Sequence, residues 1–124
     1  MGISAWAYRN HSSPPFQARP LPLFNQSTIV EQPTNLATIS VRYTNAALEF
    51  VAQAQAATKP FFLYIPFNHV HNPNFASVAF CNSSARGTIG DATQEVDHSI
   101  GAIMAGIAAA GLDEKTVYFF TSDK

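Results

Sequence analysis

Two imidazoles and one carboxylate stand where a hydrolytic site could be built. His69 and His71 lie two residues apart directly after an apolar run, and Asp123 follows a second such run. Imidazole nitrogen and carboxylate oxygen are the usual parts of a hydrolytic metal site or an acid–base pair. Each also has an ordinary explanation. A histidine after a strand is often a loop residue with a satisfied hydrogen bond, and an aspartate there often caps the next helix. Cys81 is a nucleophile by type, with Arg86 five residues on. Its neighbours Phe80, Asn82 and Ser83 offer nothing that stabilises a thiolate, so it reads as an ordinary thiol. Asp97 and His98 fall near the start of an expected helix, where the dipole alone favours an acid.

The elements that must position these residues follow from periodicity. Residues 1–36 hold most of the prolines, including Pro14, Pro15, Pro20 and Pro22, and read as irregular surface chain. Tyr43, Ala47, Phe50, Ala54 and Ala57 then recur at helical steps, which predicts a helix from about Thr38 to Ala57. Pro60 ends it by pushing Lys59 out of helical geometry. Phe61–Ile65 is apolar on both alternating faces and predicts a strand covered on both sides, as in a parallel sheet. Pro66 closes that strand, and the polar stretch 68–90 reads as a loop long enough to carry function.

Asp91, with Gln94 three residues on, predicts the start of a second helix whose core face is Val96, Ile100, Ile103, Ile107 and Ala110. Gly111 supplies a left-handed stop and Leu112 the apolar contact that often follows it. Thr116–Thr121 is the second expected strand. A right-handed crossover would make the two strands parallel, about 4.8 Å apart if adjacent. The turn at His69 and His71 and the segment at Asp123 would then share the sheet edge where open α/β sheets bind ligands.

Composition narrows the class. The 124 residues are 47% hydrophobic and only 12% charged, as suits the interior of an α/β domain and unlike a disordered chain. A net charge of -1 with no basic stripe argues against nucleic acid as a partner. No run reaches the roughly 20 apolar residues of a membrane span, so no membrane association is expected. Met1–Trp6 has neither the basic and apolar regions of a signal peptide nor a myristoylation pattern. One cysteine says nothing reliable about redox compartment. The sequons at Asn10, Asn25 and Asn82 hint at a secreted or lysosomal protein, although so short a motif also arises by chance.

Taken in order, Pro60-Phe61-Phe62-Leu63-Tyr64, His69-Val70-His71-Asn72-Pro73, Gly90-Asp91, Glu95-Val96-Asp97, Gly111-Leu112 and Phe120-Thr121-Ser122-Asp123 resemble the middle of the formylglycine-dependent sulfatase family, in its arylsulfatase branch. The resemblance runs from about residue 36 to the end, and more loosely over Gly2-Ile3-Ser4 and 21–33. It implies an α/β fold: part of an alkaline-phosphatase-like α/β/α sandwich with mostly parallel strands, incomplete in this chain. Residues 37–124 would then be a partial catalytic domain ordered helix, strand, loop, helix, strand. It further implies hydrolysis of sulfate monoesters on a small molecule or glycan, in a lysosomal or secreted setting. By the same resemblance His71 protonates the leaving-group oxygen, Asp123 is a calcium ligand, and His69 lies near the substrate without a firm assignment. Calcium prefers oxygen ligands, so the carboxylate is chemically apt.

The departures bear on activity. The family nucleophile arises from the Cys of a Cys-x-Pro-Ser-Arg motif, and the chain has none; Cys81-Asn82-Ser83-Ser84-Ala85-Arg86 lacks the proline and spaces the arginine differently. The family's paired acidic calcium ligands and its downstream lysine are also missing. Lys124 stands where the family has an asparagine ligand, and an ammonium cannot coordinate a cation. The expectation is an internal fragment, inactive alone and of low independent stability. Two other readings stay open: a zinc-dependent amidohydrolase-type enzyme using His69 and His71, and a non-catalytic remnant.

Overall fold

The computed structural model describes residues 2–3, 21–71 and 73–122. Strands β1 (Gly2–Ile3), β2 (Leu23–Asn25) and β3 (Thr28–Glu31) form an antiparallel sheet in that order. Its register sets Ile3 opposite Leu23 and Asn25 opposite Thr28, with an irregularity between Leu23 and Phe24. Helices α1 (Ile39–Ala57) and α2 (Gly87–Ala109) follow, with short 3-10 turns at Leu36–Thr38 and Asp113–Lys115. No helix among the described residues is long and apolar enough to cross a membrane.

Part of the segment expected to be irregular is therefore a hairpin. Strands of three and four residues are too short to show alternation, and the turn is Gln26-Ser27 rather than an Asn-Gly pair. Gln26 nevertheless adopts the left-handed conformation, φ 55°, that a tight hairpin turn needs. Leu23 is fully buried and joins Ile39 and Tyr43 of α1 in a small core, against which Phe67 and Phe75 pack. Arg42 of α1 forms an ion pair with Glu31 of β3, half exposed and so worth little by itself.

Helix α1 matches its expected span, but its buried face is Ile39, Ser40, Tyr43, Ala47 and Val51, with Phe50 at the margin. Thr58 ends it in left-handed geometry, φ 53°, before Pro60 is reached. Helix α2 begins four residues earlier than Asp91. Arg86 occupies the N-cap position without a side-chain cap, and Asp91 instead accepts from the amides of Asn82 at 2.9 Å and Ser84 at 2.8 Å. An acid expected to cap its own helix thus ties down the loop before it. The buried row of α2 runs Asp91, Glu95, Ser99, Ile103 and Ile107, at constant steps of four, while Val96 and Ile100 are only half buried.

The second core is Ala47 and Val51 of α1 against Ile103 and Ile107 of α2. The helices approach closely at Gly106, where a Cβ would collide with the Leu48 side chain. Gly111 takes the expected left-handed conformation, φ 68°, and Leu112 closes the helix end through its amide to the Ile107 carbonyl at 3.1 Å. Since open space surrounds a Cβ at Gly111, Gly111→Ala tests backbone strain alone. Its expected cost is about 1 kcal/mol, read as a lower urea midpoint with unchanged m-value.

The two strands expected at 61–65 and 116–121 are not part of any sheet among the described residues. Their backbone is extended in neither a parallel nor an antiparallel ladder, so the parallel sheet expected from the resemblance is not seen here. One face behaves as anticipated: Phe61, Leu63, Ile65 and Tyr118 pack on the helix core. The other lies bare, with Phe62 at 86%, Val117 at 94% and Phe119 at 86% exposure. A run apolar on both faces needs cover on both, and the helices cover only one.

Candidate functional site

The alternation that turns Phe61, Leu63, Ile65 and Phe67 inward carries on for one more step to His69. That imidazole is fully buried. Its ring lies 4.5 Å from that of Phe75 and 6.2 Å from that of Phe67, centre to centre. At Asn68 to His71 the chain turns, with the His71 amide 3.4 Å from the Asn68 carbonyl, and His71 emerges exposed. The two histidines therefore occupy opposite environments although they are two residues apart. His69, expected near substrate, is enclosed by this chain's own side chains. Burial drives its pKa below the usual histidine value, with the nearby Glu95 charge opposing the shift.

Glu95 entered the sequence reading only as part of the Glu95-Val96-Asp97 run, with no role attached. It lies on the inner row of α2 and is only 2% exposed. One carboxylate oxygen accepts from the Ser40 hydroxyl of α1 and the other from the Ser77 amide at 2.7 Å. The latter oxygen stands 3.8 Å from His69 Nε2. Asn68 sits beside the Tyr43 hydroxyl, whose pKa is raised by burial and partly lowered by that contact. The available signal was the step of four leading from Ile107 and Ile103 back through Ser99 to Glu95. A search for apolar residues on that face skips it.

The remaining candidates are dispersed. Asp123 and Asn10 lie outside the described residues. Asn25 and Asn82 are both exposed, at the hairpin turn and in the loop before α2. Cys81 is an exposed free thiol, Asp97 is exposed, and His98 stacks obliquely on Phe80 at 5.3 Å. The described residues contain no group of three or more His, Cys, Asp or Glu able to hold a metal. Two open hollows, of about 490 Å³ near the start of α2 and about 190 Å³ between α1 and residues 63–66, include neither His69 nor His71 in their walls.

Comparison with known proteins gives the family. The family model described as Sulfatase matches residues 3–124. The chain is 38% identical to arylsulfatase A of Homo sapiens over 104 residues, covering 84% of this chain and 20% of that protein. It is 38% identical to N-acetylgalactosamine-6-sulfatase of Canis lupus familiaris over 117 residues, covering 86% and 22%. To steryl-sulfatase of Mus musculus it is 32% identical over 101 residues, covering 82% and 16%. The chain spans about a fifth of the length of these relatives. With the family model matched over residues 3–124 and 38% identity over 84% of the chain to one relative, the chain belongs to the sulfatase family.

Proposed function

We propose that the whole protein hydrolyses sulfate monoesters and that this stretch supplies the general acid, His71. One observation supports the assignment most: of two histidines in one turn, His69 is enclosed and His71 is exposed, which favours His71 as the one to meet a ligand. Histidine is the residue type best suited to giving up a proton near neutral pH. In the reaction, the imidazolium of His71 protonates the ester oxygen as the bond to sulfur breaks, and the alcohol leaves neutral. Attack on sulfur requires an activated nucleophile, and this chain contains no Cys-x-Pro-Ser-Arg motif to supply one.

Calcium, the cation attached by resemblance to Asp123, requires six to eight oxygen ligands in all. The described residues do not make such a site, so no step here runs through it. Asp123 would contribute one carboxylate to a site completed elsewhere in the whole protein. We infer a sulfated small molecule or glycan as substrate and a lysosomal or secreted setting, in which Asn25 and Asn82 stand exposed for glycan attachment.

Two assays test the proposal. The purified 124-residue chain, given a chromogenic aryl sulfate and calcium, is expected to show no turnover above its His71→Ala control; turnover above that control overturns the assignment of the nucleophile to another part of the protein. In the full-length protein, His71→Ala is expected to lower kcat by about 10²- to 10⁴-fold with little change in KM. An unchanged kcat there removes His71 from the chemistry.

A further inference from the structure

The polar groups buried beneath the His71 turn converge on one carboxylate. A buried carboxylate is costly unless its lone pairs are filled, and among the described residues no Lys or Arg pairs with Glu95. Its hydrogen bonds come from two different places: the Ser40 hydroxyl on α1 and the Ser77 amide at the end of the loop. Toward the start of the loop it faces His69 Nε2 at 3.8 Å, and neither ring nitrogen of His69 has a hydrogen-bond partner. An imidazole with an unpartnered nitrogen beside a carboxylate oxygen is one small movement from donating to it. The loop that carries His71 is thus bracketed at residues 69 and 77 by a single side chain from α2.

We propose that Glu95 is the positioning residue of this turn, holding both ends of the 69–77 loop against α1 and α2 so that His71 is presented at a defined place. His69 serves as its contact in the interior rather than as a ligand for substrate. The inference rests on the reading of His71 as proton donor for its functional meaning, but the geometry of the bracket is independent of that reading. Ser40, His69 and Ser77 are each buried, and each lies within reach of one of the two Glu95 oxygens.

The test uses the whole chain, uniformly isotope-labelled and read by NMR. In the wild type the Ser77 amide is expected to exchange slowly and the His71 ring to give a signal distinct from that of the urea-unfolded chain. Glu95→Ala is expected to speed Ser77 exchange about tenfold or more and to move the His71 signal toward its unfolded position. Glu95→Gln, which keeps the volume and one acceptor, is expected to move it part of the way, and stands in if the alanine variant does not fold. Ile107→Val, which loosens the same helix away from the turn, is expected to lower stability and leave the His71 signal in place. The proposal is overturned if Ile107→Val and the Glu95 variants move that signal alike, if none of them moves it, or if the wild-type signal already matches the unfolded chain. Because the readout is the ring and not turnover, a His71 that proves dispensable for hydrolysis leaves this result standing, and an unmoved ring leaves the hydrolytic assignment untouched.

Discussion

Ile107→Ala is expected to destabilise the chain by about 2 to 5 kcal/mol, measured as the fall in unfolding free energy by urea denaturation. Ile107 is 3% exposed and sits in the four-residue core with Ala47, Val51 and Ile103. Half of that core comes from each helix, so a cavity there loosens the apolar contact between α1 and α2. Collapse around the void is restricted, because Gly106 already brings α2 against Leu48 one residue away. The loss should therefore fall toward the upper part of the range. A loss below about 1 kcal/mol, the scale of a surface change, would show that Ile107 is not enclosed as described.

Acidification is the second large effect, and its sign follows from His69. Burial holds the folded-state pKa of this imidazole below its unfolded value, which for histidine is about 6.5. Between those two values the unfolded chain binds a proton that the folded chain refuses. Stability therefore rises with pH through this window, is fully present above about 6.5, and is lost as pH falls below it. Within the window the slope approaches about 1.4 kcal/mol per pH unit. His69→Gln removes the titrating group and should flatten the difference in urea midpoint between pH 7 and pH 5. Equal pH dependence in the two proteins would mean that His69 is accessible to protons in the folded state.

Both effects act at places that the sequence reveals unevenly. Ile103 and Ile107 stand at helical spacing and could be assigned to a core before any coordinates were known, as could the stop at Gly111 with Leu112 behind it. The helix spans followed for the same reason: a repeat near 3.6 residues is a local property that survives whatever the helix packs against. The start of α2 was less legible, because Asp91 has the chemistry of a cap. Only the folded loop shows that its acceptors turn toward Asn82 and Ser84. The hairpin escaped notice because its strands are shorter than the pattern needed to detect them.

The sulfatase resemblance and the two helices were determined by the sequence alone, since ordered motifs and local periodicity are written in residue types. Two histidines separated by a valine carry no mark, by contrast, of which one will be enclosed. That was decided by Phe67 and Phe75 closing over one ring while the chain turned and left the other in solvent. The bracketing carboxylate was likewise a tertiary decision. Glu95 resembles any surface glutamate until α1 brings Ser40, and the loop brings the Ser77 amide, to the same buried point. Contacts between residues 18 and 55 positions apart arise from packing, and a reading confined to spacing along one element has no access to them.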